Sequence, residues 1–176
     1  MEPALRRLGL IDMNDSVIST NESPYRFSRN WNYFSRRVDV STAKGRNLTY
    51  WLKSYVGDPD DATLAVLGID SNISRNGGIR GVVERRVRTA QYLRERSYHI
   101  PGTYVFDGGT MMQEHVEGTP LIDEGDIAYA ARAFAVPGIE IRDAKPNDFI
   151  LSGGTLYCVD PGIFVVKDPE KVGISI

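Results

Sequence analysis

Strands first, then a helix, a hairpin, a second helix and a second hairpin: this order predicts the α+β class. Three observations carry the expectation. Aromatic and β-branched residues crowd positions 25–56, apolar residues recur at helical spacing over 82–96, and glycine pairs at 108–109 and 153–154 split two later apolar runs. Regular alternation of strand and helix, the mark of a parallel sheet, is absent from this order.

The elements follow in sequence. Leu5 to Thr20 is mixed and carries no clear period. YRFSRNWNYFSRRVDV, Tyr25 to Val40, reads as one or two strands, and STAKGRN as the turn after them. LTYWLKSYV, Leu48 to Val56, is a strand whose alternation sets Thr49, Trp51 and Lys53 on one face and Leu48, Tyr50 and Leu52 on the other. GDPDD breaks the chain. Val83, Val87, Ala90 and Leu93 or Arg94 then share one face of an amphipathic helix over Val82 to Arg96, with Gly77, Gly78 and Gly81 at its start. Thr103 to Phe106 and the run through Val116 form a hairpin around Asp107-Gly108-Gly109. Asp123 to Ala135 is a second helix, stopped by Pro137-Gly138, and a short strand, a loop and a hairpin turning at Ser152-Gly153-Gly154 complete the chain.

Composition narrows the function classes. The 176 residues suffice for one domain or for two small lobes, and 41% hydrophobic with 25% charged residues is ordinary for a soluble globular protein. A formal charge of -2 supplies no global basic field for nucleic acid. One cysteine, Cys158, excludes an intramolecular disulfide and reads as a small core hydrophobe. No apolar run approaches a membrane span, and the start MEPALRRLGL is too short in its apolar part for a signal peptide. His99 and His115 lack metal-ligand company, and the arginines from Arg75 to Arg96 read as a solvated helix face.

Chemistry concentrates in IEIRDAKPNDFILSGGTLYCVDPG, Ile139 to Gly162. Asp143 precedes Asp148 by five residues and Asp160 by seventeen, and a loop–hairpin–loop path can bring Asp143 and Asp160 to the same end of the hairpin. Carboxylates gathered there repel one another, and a divalent cation is the usual remedy. Phosphoryl transfer needs such a cation on hard oxygen ligands, a cation on the nucleotide phosphates, and a carboxylate aimed at the attacking hydroxyl.

GIEIRDAKPNDFIL, a hairpin, and then YCVDPG resemble the catalytic segment of the protein-kinase-like superfamily, whose Gly-Ile-x-His-Arg-Asp-x-Lys-Pro-x-Asn precedes a strand pair and Asp-Phe-Gly. The resemblance implies a minimal two-lobed kinase-like fold with an antiparallel small-lobe sheet. About 1–116 would form the small lobe and hinge strand, and about 117–176 a reduced large lobe with the catalytic loop. The resemblance further implies that Asp143 accepts the hydroxyl proton, Lys145 touches the γ-phosphate, and Asp160 and Asp148 hold Mg2+. Lys53 in WLKSY resembles the lysine that holds the α- and β-phosphates of ATP, with Glu84 as its acidic partner. MMQEHVEGTPL resembles the strand-to-hinge passage of bacterial kinases and aminoglycoside phosphotransferases, which implies adenine binding by backbone groups from Glu114 to Val116.

The chain departs from that pattern at named positions. Ile141 stands at the histidine, Asp148 at the metal-binding asparagine, and Pro161 at the phenylalanine of Asp-Phe-Gly, where it fixes the backbone. No glycine occurs from Leu10 to Lys44, so Ser19, Thr20, Asn21 and Ser23 are the candidate phosphate donors in place of a glycine-rich loop, and Trp51 takes the small position above adenine. Fourteen residues follow Gly162, which implies a shortened large lobe. Three functions are expected in order. The first is an ATP- and Mg-dependent protein kinase, resembling in size and motifs the minimal kinases that bacteria deliver into eukaryotic cells, where the substrate is a host chaperone or signalling protein. The second is a pseudokinase-like binding module, and the third a small-molecule kinase of aminoglycoside type.

Overall fold

A computed structural model describes residues 1–28, 33–55, 78–168 and 172–173. The fold is α+β with antiparallel sheets, as the element order predicts. Contacts divide the chain into two compact units, each built from two stretches: Met1–Val83 with Tyr104–His115, and Glu84–Thr103 with Val116–Ile176. The chain passes between them three times, the last time from His115 to Val116. Among the described residues no helix is long and apolar enough to cross a membrane.

The first unit is organised by a sheet of order β1-β3-β4-β6-β5, comprising β1 (Val17–Glu22), β3 (Tyr33–Thr42), β4 (Asn47–Tyr55), β6 (Thr110–Glu114) and β5 (Thr103–Asp107). A short strand β2 (Arg26–Ser28) also pairs with β3. Alternation on β4 is as expected: Tyr50 and Leu52 are buried with Val38, Val40 and Met112, and Leu48 packs against that cluster. The segment without a readable period is a helix, Glu2–Arg7, followed by a tight loop into β1. Leu5 enters the core from this helix, and Arg6 ties the loop down by donating to Asp12 O at 2.8 Å and Met13 O at 2.9 Å. Asp15 is buried and accepts from its neighbour Ser16 N and from Lys44 N in the β3–β4 turn. Hydrogen bonds from Thr42, Lys44 and Ser16 outweigh its desolvation and hold its carboxyl below the ordinary range.

The helix Gly78–Glu95 crosses from the first unit to the second at Val83 and Glu84. Val83, Val87, Ala90 and Leu93 are all buried, which settles the choice between Leu93 and Arg94 for the apolar stripe. The helix begins at Gly78, four residues before the expected start, and Gly78 itself enters it with a left-handed φ of 67° that glycine adopts without strain. Val56, GDPDD, Arg75 and Gly77 lie outside the described residues.

The second unit is assembled around aromatic rings. Phe134 packs against Phe149 and Phe164 with ring centroids 5.8 and 6.4 Å apart, joined by Ala90, Leu93, Ala130, Cys158 and Ile163. Cys158 is fully buried there, as expected of a small hydrophobe. The second helix spans Glu124–Ala133, and Asp123 caps it by accepting from Asp126 N at 2.8 Å. It ends before Pro137, since Phe134 already leaves helical geometry. Strands β9 (Phe149–Ser152) and β10 (Thr155–Cys158) form the expected hairpin, extended by β7 (Thr119–Pro120), while β8 (Ile139–Ile141) pairs with β11 (Phe164–Val166).

Candidate functional site

Residues 139–166 of the second unit fold back on themselves through backbone bonds that span the candidate acids. Arg142 N donates to Ile163 O at 2.8 Å, and Val159 N donates to Asp148 O at 2.8 Å. Asp143 therefore follows one junction, while Asp148 and Asp160 flank the other. Each acid also adjoins an inward residue: Ala144 beside Asp143 and Phe149 beside Asp148 pack on the same core, and Pro161 beside Asp160 is buried. Burial of the neighbours fixes the backbone from which the polar side chains project.

Asp143 has φ 51°, in the left-handed region, where a non-glycine residue is uncommon and strained residues cluster at functional sites. Asp143 and Lys145 are both exposed, on either side of the inward Ala144. At the next turn, Pro146–Asp148, the Asp148 carboxylate Oδ2 accepts from Lys145 N at 2.7 Å, and Asp148 N donates back to Lys145 O at 3.0 Å. Pro161–Ile163 is a second short turn, with Asp160 Oδ1 accepting from Gly162 N at 2.8 Å. Pro161 opens this turn and is buried, so the backbone after Asp160 is set by its ring.

The Val159–Asp148 bond sets the backbone of Asp160 one residue from the pairing at Asp148. Among the described residues no three His, Cys, Asp or Glu side chains come together to hold a metal ion. Asp143, in its left-handed backbone beside the inward Ala144, is exposed to solvent.

Gly162 is crowded in a way the sequence does not reveal. A Cβ there would lie 2.8 Å from Arg86 Nη1 and 2.9 Å from Asp160 Oδ1. The guanidinium of a helix arginine thus packs against the Asp160–Gly162 turn, although helical spacing alone assigns the arginines to a solvated face. Glu84, two residues earlier, lies 3.9 Å from Arg88 Nη2 at i,i+4 spacing.

The remaining candidates belong largely to the first unit. Lys53 lies on β4 in one row with Ser35 and Met111, and Ser35 in turn pairs with Arg26. Ser19, Thr20 and Asn21 pair with Ser41, Val40 and Asp39, several rows from Lys53. The expectation that these residues replace a glycine-rich loop is therefore corrected: they form a strand bonded along β3, and Ser23 is spent on Arg37, its N donating to Arg37 O at 2.9 Å and its Oγ accepting from Arg37 N at 2.8 Å. Residues 29–32, between β2 and β3 in the sequence, lie outside the described residues.

Glu114 ends β6, and its Oε1 accepts from Tyr104 Oη at 3.1 Å. His115 N donates to Thr49 O at 2.9 Å, so the ladder outlasts the strand by one residue before Val116 leaves it. Trp51 Nε1 donates to His115 Nδ1 at 3.0 Å, which fixes the imidazole as an acceptor there and gives His115 a structural role. On the same face Asp39 Oδ1 accepts from Thr49 Oγ1 at 2.7 Å and Arg37 Nε at 3.0 Å, which hold its carboxyl below the ordinary range. Compared with known proteins, the chain matches no protein-family model and no curated protein.

Proposed function

We propose that the protein is an ATP- and Mg-dependent phosphotransferase acting on a protein hydroxyl. The observation that supports it most is the Val159–Asp148 backbone hydrogen bond, which brings the chain beside Asp160 to Asp148 within a segment that resembles a kinase catalytic loop. In this reading Asp160 and Asp148 hold Mg2+, which neutralises charge on the transferring phosphoryl group. Asp143 orients the nucleophile and accepts its proton, from a strained backbone that presents the carboxylate outward. Lys145, exposed beside it, supplies a cation for the γ-phosphate. Lys53 serves the α- and β-phosphates, steadied by Glu84, and the adenine edge is read by backbone groups at Glu114 and Val116, the His115 amide being spent on Thr49. The substrate class is a protein with an accessible serine or threonine, such as a host chaperone or signalling protein met by a secreted bacterial effector.

A second reading, a nucleotide- or protein-binding module without transfer, is favoured by the strand at Ser19–Asn21 where a phosphate loop was expected. Small-molecule phosphorylation of the aminoglycoside type ranks third, supported by the resemblance of MMQEHVEGTPL to the hinge passage alone. Calorimetry with ATP and Mg2+, joined to γ-phosphate transfer onto a mixed protein substrate, separates the first two. Transfer that disappears in Asp143→Ala supports the enzyme. Binding with no transfer at any metal concentration assigns the module instead.

A further inference from the structure

Arg86 brings a fixed positive charge to the turn that carries Asp160. Its Nη1 and Cζ lie 2.8 and 3.0 Å from the point where a Gly162 Cβ would sit, and Asp160 Oδ1 lies 2.9 Å from the same point. Guanidinium and carboxylate therefore press on one small volume, opened by the missing side chain of Gly162. The same carboxylate oxygen accepts the Gly162 amide, which anchors Asp160 toward that volume. Next to Arg86 on the helix, Arg85 Nε is buried without a hydrogen-bond partner among the described residues, and Arg85 is held below its ordinary value by burial and then by the charge of Arg86.

A divalent cation arriving at Asp160 meets this resident charge at close range. In the partly buried setting of a protein, like charges a few ångströms apart repel strongly, so both cations cannot occupy the carboxylate at full strength. Resting on the reading of Asp160 as a metal ligand, we propose that Arg86 and a divalent metal ion are alternative partners of Asp160, so that Arg86 lowers the metal affinity of the site. Metal loading then displaces Arg86 from the turn, and Arg86 sets the metal concentration at which the protein becomes competent. Gly162 leaves room for the guanidinium to enter and leave.

Manganese binding to the full chain, read by the loss of the free-ion paramagnetic resonance signal with and without ADP, tests this apart from any activity. Arg86→Gln is expected to bind manganese about tenfold more tightly than the parent. Arg86→Lys keeps the charge and is expected to stay near the parent, and Arg94→Gln, which removes an exposed charge from the last turn of the same helix, leaves binding unchanged. Adding Asp160→Asn to Arg86→Gln abolishes the gain. If Arg86→Gln binds no tighter than the parent while Asp160→Asn abolishes the parent's binding, the inference is overturned and the metal-site reading stands. If no form binds manganese, or Asp160→Asn binds as the parent does, both are overturned.

Discussion

In the first unit most of the buried core comes from strands long enough to alternate: Val38 and Val40 on β3, Tyr50 and Leu52 on β4, Met112 on β6. In the second they come from isolated positions at the ends of short elements, with Phe134 after a helix, Phe149 opening a four-residue strand and Ile163 closing a turn. The first arrangement buries surface by repetition and leaves its loops free to vary. The second fixes three loops by anchoring a residue of each in one core, and those loops carry Asp143, Asp148 and Asp160. A unit that positions polar side chains from loops needs the loops themselves to be packed.

The sharpest way to break this comparison is to empty one core at a time. Phe149→Ala removes a fully buried ring and is expected to cost about 3–5 kcal/mol, with Leu52→Ala in the sheet core costing about 2–5 kcal/mol. Hydrogen exchange distinguishes the two. Phe149→Ala should first expose the amides of Cys158 and Val159, which bond to His99 O and Asp148 O, whereas Leu52→Ala should first expose the β3–β4 ladder. Equal loss of protection in both places would mean that the acid-bearing loops do not depend on the aromatic core as argued.

Gly118→Ala is next in size. Its Cβ would lie 2.4 Å from Leu151 O and 2.6 Å from Ile150 Cγ2, and since the first is backbone, β7 must shift away from β9. A loss of about 2–3 kcal/mol in denaturant unfolding is expected, against almost none for Gly118→Ala if the strand can move freely. In the sheet of the first unit the corresponding test is milder. Trp51→Phe leaves His115 Nδ1 without its indole donor and should cost about 1 kcal/mol by the same measurement.

Smallest is a pH effect on the β8–β11 pair. Lys167 donates to the Glu140 carboxylate, with Arg142 as a second donor, and together they hold its carboxyl below the ordinary value of 4.5. Because the folded value is depressed, the stabilisation is present above the ordinary value and is lost as pH falls through the folded one. These side chains are nearly half exposed, so the contribution is minor. Lys167→Met should flatten the decline in thermal midpoint below about pH 5, and an unchanged slope would remove the pair from the account.

The same contrast explains what the sequence makes legible. Period-two alternation over LTYWLKSY and helical spacing from Val83 to Leu93 report directly on burial, and both sheet face and helix stripe are readable from them. Glu2–Arg7 is not readable, because six residues are too few for a period and the helix is held by Arg6 bonding to carbonyls outside it. At the candidate site, the spacing of Asp143, Asp148 and Asp160 indicates a shared hairpin end, and the backbone bonds at Asp148 and Ile163 agree with that. Which carboxylates converge depends on side-chain direction and on φ at Asp143, which no spacing encodes. The strand at Ser19–Asn21 was missed because a bulge at its start and five polar or charged residues in seven hide its period. Arg86 was missed since an arginine on an amphipathic helix reads as solvated until the glycine that admits it is seen in place.

The central claim is that Asp160 and Asp143 serve one phosphoryl transfer, the first through metal and the second at the hydroxyl. Incubation with an ATP analogue carrying a γ-thiophosphate, followed by alkylation and detection of labelled protein, measures that transfer directly. The account predicts magnesium-dependent labelling by the parent that falls at least about a hundredfold in Asp143→Asn and in Asp160→Asn. Labelling that persists unchanged in both variants, or none from the parent at any magnesium concentration, would contradict it.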